Sequence, residues 1–145
     1  MHQKISFGLS ITVSIVFGLT YLIIGCLEII LAILGLNIPL IPHDFMGGFV
    51  NITTAAIYFF GVKELLNQDI RGIAFPFFGT IFGLGFSGLY LLIMLSSIAT
   101  KTIIYNERLT TTILLEEIRI EILLLPILAI VLLWFRNHIL RKFSY

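Results

Sequence analysis

The stretch from Ile5 to Leu36, ISFGLSITVSIVFGLTYLIIGCLEIILAILGL, decides the fold, and Glu28 is its only residue with a formal charge. A helix needs about 20 apolar residues to cross a hydrocarbon core of about 30 Å. At about 1.5 Å per residue this stretch would be close to 48 Å long, so it must tilt, bend or protrude from the bilayer. The stretch therefore predicts a first transmembrane helix that is longer than one crossing requires.

Three further apolar runs fill most of the remaining chain of 145 residues. Hydrophobic residues make up 59% of the sequence and charged residues only 12%, whereas soluble domains carry about 25% charged residues. The sequence predicts an all-α integral membrane bundle of four transmembrane helices in a single domain, residues 1–145. The expected spans are about 8–35, 45–66, 73–97 and 118–140.

Basic residues predict how the bundle is oriented. Six of them fall on one side of the predicted membrane and three on the other, which favours cytoplasmic N- and C-termini. We therefore expect a multi-pass protein of the cell membrane. The first group is Lys4, Lys63, Arg71, Arg136, Arg141 and Lys142, and the second is Lys101, Arg108 and Arg119.

The sequence argues against several classes of function. Cys26 is the only cysteine and the three histidines are scattered, so no zinc-ligand spacing or internal disulfide is predicted, and we expect no metal and no cofactor. The net charge is +1 and the sequence has no strongly basic block, which argues against a nucleic-acid partner. Asn51, in Asn-Ile-Thr, matches a glycosylation acceptor, but it falls inside the second span and is interpreted as a chance match.

Small residues at every fourth position mark two helix faces that could pack closely. In lipid, helices associate through close backbone approach, which small residues permit. The two sets overlap when the chain is shifted by 69 residues, which suggests two hairpins related by a repeat, with the first and third spans as the central pair. The residues are Ser10, Ser14 and Gly18 in the first span, and Gly79, Gly83 and Ser87 in the third.

Glu28 is the candidate for intramembrane chemistry, because an ionisable group within a span is costly to bury. One interpretation places it at the outer interface, either hydrated or paired with Arg119 or Lys101. The other makes it the carboxylate of a proton- or cation-linked transporter. Charged residues around Arg119, including Glu116, Glu117 and Glu121, are interpreted as the solvated start of the fourth helix.

The leading functional hypothesis is a small accessory or structural membrane component. It would act through helix contacts with itself or with a larger membrane complex, in the lipid bilayer. The alternative is a small dimeric proton- or cation-coupled transporter that uses Glu28. We expect no enzymatic activity, because no nucleophile and base share a plausible depth.

Overall fold

The computed structural model describes residues 2–36, 38, 40–41, 43–104 and 118–143. These residues form four α-helices and one short 3-10 segment, Ile70–Ile73, and the prediction of an all-helical chain is confirmed. The helices are α1 (His2–Leu34), α2 (Phe45–Leu66), α3 (Ala74–Ile103) and α4 (Ile120–Phe143).

Three segments are long and apolar enough to cross a membrane: Phe7–Leu34, Phe45–Leu66 and Ile70–Ile103. The predicted second span, 45–66, matches the bounds of α2, while α3 continues six residues past the predicted end at residue 97. Helix α4 has 24 residues, or about 36 Å at 1.5 Å per residue, and packs along α3. Its length therefore also suits a membrane crossing.

The ends of α1 and α2 follow the local sequence closely. Gly35 adopts a left-handed φ of 63°, and the Leu36 N–H donates to the carbonyl of Leu31 at 3.1 Å, which closes α1 with a Schellman motif. Asp44 begins α2 by accepting hydrogen bonds from the N–H groups of Met46 and Gly47 at 3.0 and 3.1 Å. Helices α1 and α2 therefore form a hairpin with defined ends.

Helix α1 packs most extensively against α2, and α3 packs against both α4 and α2. Two glycines set the close approach of the first pair. A Cβ atom added to Gly25 would lie 2.7 Å from the Gly48 carbonyl oxygen, and one added to Gly48 would lie 2.7 Å from the Gly25 carbonyl oxygen. The two backbones are therefore in direct contact at this crossing.

The expectation that the first and third spans form the central pair is wrong, since α1 and α3 make little contact. Aromatic side chains occupy the small-residue faces instead. The Tyr58 ring of α2 covers Gly79, the Phe59 ring covers Gly18, and the Tyr21 hydroxyl of α1 packs on Gly83. Rings that fill a groove hold two backbones apart, so these faces receive side chains rather than a neighbouring backbone.

The apolar core has two parts along the bundle. Phe17, Tyr21, Tyr58 and Leu128 form one cluster, in which the Tyr58 ring stacks on both Phe17 and Tyr21. A second cluster contains Leu65, Ile73 and Phe135, with Phe7 and Ile11 packed against it. Because Phe7 lies early in α1 and Phe135 late in α4, the start of α1 and the end of α4 lie at the same end of the bundle.

Gly48→Ala tests the α1 and α2 crossing. The added methyl group would meet the backbone of Gly25 and the side chain of Ile29, each at 2.7 Å. We expect the free energy of unfolding to fall by about 1–3 kcal/mol, the usual cost of overpacking. Reversible unfolding in mixed detergent micelles measures this change.

Gly8→Ala is the matched control, because a Cβ at Gly8 would meet nothing within 4 Å. We expect this variant to be as stable as the original protein or slightly more stable, since alanine favours helix. Equal destabilisation by both substitutions would contradict the close crossing.

Candidate functional site

Three polar side chains meet inside the bundle, and we call Glu28, Asn51 and Glu121 the polar centre. The Asn51 Nδ2 group donates one hydrogen bond to Glu28 Oε2 at 2.8 Å and another to Glu121 Oε1 at 3.1 Å. The exposed fractions are 0% for Glu28 and 2% for each of the other two. The polar centre therefore joins α1, α2 and α4 where neither water nor lipid reaches it.

The α1 and α2 hairpin brings Glu28 and Asn51 to the same level. Glu28 lies six residues before Leu34, the end of α1, and Asn51 lies six residues after Phe45, the start of α2. Each also follows one of the two crossing glycines, Gly25 and Gly48, by three residues, or nearly one helical turn. The backbone contact thus places a carboxyl group and an amide within hydrogen-bond reach.

Glu121 reaches the polar centre because the start of α4 is fixed to the loop between α1 and α2. The Ile120 N–H donates to the Leu40 carbonyl at 3.0 Å, and Leu40 itself has a left-handed φ of 72°. Glu121 is the second residue of α4, where the helix dipole favours a negative side chain. The loop therefore positions the third member of the polar centre.

A partly exposed group of side chains lies near the same end of the bundle. Arg119 Nη1 is 3.4 Å from Asp44 Oδ2, and its guanidinium carbon lies 4.6 Å from the centre of the Tyr90 ring. The Tyr90 hydroxyl in turn packs on Gly47, one helical turn before Asn51. We call Asp44, Tyr90 and Arg119 the end cover.

Several buried oxygen atoms have no hydrogen-bond partner among the described residues. They include Glu28 Oε1 and Glu121 Oε2, the carboxylate oxygens that Asn51 does not contact, and the hydroxyls of Tyr21 and Ser87. An unpaired buried polar group is costly, and an unpaired carboxylate more so. Chemically, the polar centre offers oxygen acceptors for a positive charge.

The family model of the MJ0565 integral membrane domain matches residues 5–137. The chain belongs to this family. It is 36% identical over 91 residues to the uncharacterized protein MJ0565 of Methanocaldococcus jannaschii, a match that covers 59% of this chain and 62% of that relative. The match thus spans less than two thirds of the relative's length. No solved structure matches the chain.

Membership of the MJ0565 integral membrane domain family confirms that this is a membrane protein, as its composition predicted. The polar centre lies within the matched residues, since Glu28, Asn51 and Glu121 all fall between 5 and 137. The family description names no substrate or activity. The site must therefore be interpreted from its own geometry.

The predicted pairing of Glu28 with Arg119 is not what the structure shows. Glu28 is buried and bonded to Asn51, while the ion pair of Arg119 is with Asp44. Arg119 precedes α4 and meets Asp44 at the start of α2, whereas Glu28 is buried six residues before the end of α1. The hydrated-interface interpretation of Glu28 is therefore wrong.

Two members of this site, Glu121 and Asn51, are not predicted from the sequence. The sequence places Glu121 at a solvated helix end, but the structure buries it. Glu116 and Glu117, for which the same prediction was made, lie outside the described residues. Asn51 was considered only as a glycosylation match. A usable signal existed, because Glu28 and Asn51 stand at equal distances from the connector of an antiparallel hairpin.

The six residues expected to pack helices are buried in the structure, although against other partners than expected. Ser10 and Ser14 are 0% exposed and Ser87 is 1% exposed. The Ser14 hydroxyl donates to the Ser10 carbonyl one turn earlier at 2.9 Å, so it is satisfied within α1. Gly18, Gly79 and Gly83 are buried beneath aromatic side chains.

Asn51→Leu tests whether the amide holds the polar centre together. Leucine has a similar size but donates no hydrogen bond, so two buried carboxyl groups would each lose their donor. We expect the free energy of unfolding in detergent micelles to fall by about 1–3 kcal/mol or more.

Thr53→Val is the control on the same helix, since the exposed Thr53 hydroxyl bonds only to the Phe49 carbonyl of α2 itself. We expect a change within about 0.5 kcal/mol for this variant. Wild-type stability in Asn51→Leu would show that the bridging amide contributes nothing.

Proposed function

We propose that the protein is a small, non-enzymatic component of the cell membrane that acts through helix contact, with a second copy of itself as the first partner. The observation that carries the proposal is the outward face of α3. In its apolar stretch 17% of the residues are buried, against 39% in the corresponding stretches of α1 and α2. Of these three helices, α3 therefore has the most surface left for another helix.

Gly85 lies in the middle of this outward face. A Cβ atom at Gly85 would meet nothing within 4 Å, although bulky exposed residues surround it one and two turns away. We call this feature the α3 notch. The surrounding residues are Phe78, Ile81, Leu89 and Leu92.

The α3 notch supports contact with another helix for two physical reasons. Glycine inside a helix costs about 0.5–1 kcal/mol relative to alanine, and no neighbour among the described residues requires it at residue 85. Small residues between larger apolar ones also allow helices to approach closely in lipid. A two-fold crossing of two α3 helices would place Gly85 against Gly85.

The absence of enzymatic activity is part of the same proposal. The polar centre offers two carboxyl groups and an amide, and the described residues pair no buried nucleophile with a general base. These groups are better suited to ligand binding and helix contact than to catalysis. The proposal also includes the cell membrane as the location.

Cross-linking at Gly85→Cys tests contact through the α3 notch. The background is Cys26→Ser, because native Cys26 is exposed and would react. We expect oxidation in intact membranes to give a covalent dimer of twice the chain mass. The control, Ile23→Cys, places a thiol on the exposed face of α1 and should give little dimer.

Gly85→Leu provides a second readout, since its side chain would fill the α3 notch and lower the dimer fraction measured by energy transfer in bilayers. Equal cross-linking at residues 23 and 85, or no dimer with either variant, would refute self-contact. A product containing a different protein would show instead that the first partner is not a second copy.

A second candidate, a proton- or cation-coupled transporter, is favoured by one specific observation. Glu28 is fully buried in the polar centre, and the one described ion pair at that end of the bundle joins Arg119 to Asp44. Intramembrane carboxylates often mark ion pathways. The family description gives this candidate no support.

Proton-driven flux in sealed vesicles separates the two candidates. If the protein is a transporter, Glu28→Gln should reduce flux to the level of empty vesicles, while the exposed control Thr53→Val should leave it unchanged. Equal flux with and without Glu28, or none with either protein, would exclude transport through this carboxylate.

A further inference from the structure

We propose that the polar centre is a binding site for a single positive charge, either a small monovalent metal ion or a proton. This inference does not depend on the proposed function, because a bound charge can serve a structural component as well as a transporter. The polar centre has two carboxyl groups, which share one neutral amide. The guanidinium group described at that end, from Arg119, is paired with Asp44.

Each of the two carboxyl groups has one oxygen atom without a hydrogen-bond partner in the described part of the chain. Asn51 uses one oxygen of each glutamate, and Glu28 Oε1 and Glu121 Oε2 remain buried without a partner. Two ionised carboxylates with unpaired oxygens are strongly destabilising away from water. A positive charge held by these oxygens removes most of that penalty.

Two hydroxyl groups provide an independent observation. Tyr21 is 2% exposed and Ser87 is 1% exposed, and neither hydroxyl has a hydrogen-bond partner among the described residues. The Tyr21 hydroxyl packs on Gly83 of α3, one turn before Ser87. Two further unsatisfied oxygens are thus buried in the bundle, one on α1 and one on α3.

The donor set indicates the class of ligand. All of these free atoms are oxygens, which hard cations and protons prefer, and none is a sulfur or an imidazole nitrogen. Among the described residues, no group of three or more His, Cys, Asp or Glu side chains gathers to hold a metal ion. Calcium takes six to eight oxygen ligands. Two free carboxylate oxygens fit one monovalent charge better.

Among the described residues, a few titratable and charged side chains lie near the polar centre. Asp44 at the start of α2 and Arg119 before α4 are paired with each other, so their charges offset. Tyr21 of α1 and Tyr90 of α3 are the other titratable neighbours, and both are neutral unless ionised at high pH. Loss of a pH transition in Glu28→Gln and Glu121→Gln would assign that transition to the polar centre.

The test measures thermal unfolding of the full chain in detergent micelles. One arm compares sodium and lithium with choline at constant ionic strength, and the other varies pH in choline alone. For a cation at about ten times its Kd, linkage predicts an upward shift of a few degrees in Tm. Calcium and magnesium are included to detect a divalent ligand.

Three variants make the result specific to the polar centre. The sodium or acid shift should disappear in Glu28→Gln and Glu121→Gln and persist in Asp69→Asn, which removes an exposed carboxylate in the turn between α2 and α3. Helix content by circular dichroism shows whether each variant folds. If a variant does not fold, the infrared C=O band of a protonated carboxyl group is measured on the original protein.

Each outcome decides the proposal. A shift with sodium or lithium supports a bound metal ion. A shift with acid alone, together with the protonated carboxyl band, supports a bound proton. No shift in either arm and no such band would overturn the proposal, as would equal shifts in all three variants or a response to divalent ions alone.

Discussion

A single side-chain amide, that of Asn51, donates to carboxyl groups from two other helices, and the arrangement of this bundle depends on that pair of hydrogen bonds. In a membrane interior, neither carboxyl group can replace a lost hydrogen bond with one to water. Helices α1, α2 and α4 are therefore fixed at one depth and one rotation relative to each other. The contact of Gly25 with Gly48 makes this possible, because it brings Glu28 and Asn51 within reach.

The two ends of the bundle are built differently. One end carries the polar centre and the end cover, and the loop residue Leu40 bonds to the first residue of α4. The other end is closed by apolar packing of Leu65, Ile73 and Phe135. Polar contacts are directional and apolar contacts are not, so helix rotation is specified more strictly at the first end. The groups able to bind a ligand are concentrated where the geometry is most constrained.

Much of the fold could be predicted from the sequence, but little of the site. Apolar run lengths predicted the helices, including the bounds of α2. Helix pairing was not predictable, because small residues such as Gly83 accept a tyrosine hydroxyl as readily as a backbone. The prediction for Glu121 was wrong because hydropathy averages over neighbouring residues, whereas the burial of one side chain depends on the direction in which it leaves the helix.

The central claim is that the Asn51 amide is bonded to Glu28 and Glu121 in a region closed to water. Nuclear magnetic resonance of protein labelled at asparagine and glutamate, in lipid nanodiscs, tests it most directly. The account predicts that the Asn51 side-chain N–H signals exchange slowly with deuterated water and correlate with both carboxyl carbons. Rapid exchange, or correlation with neither carboxyl group, would contradict it.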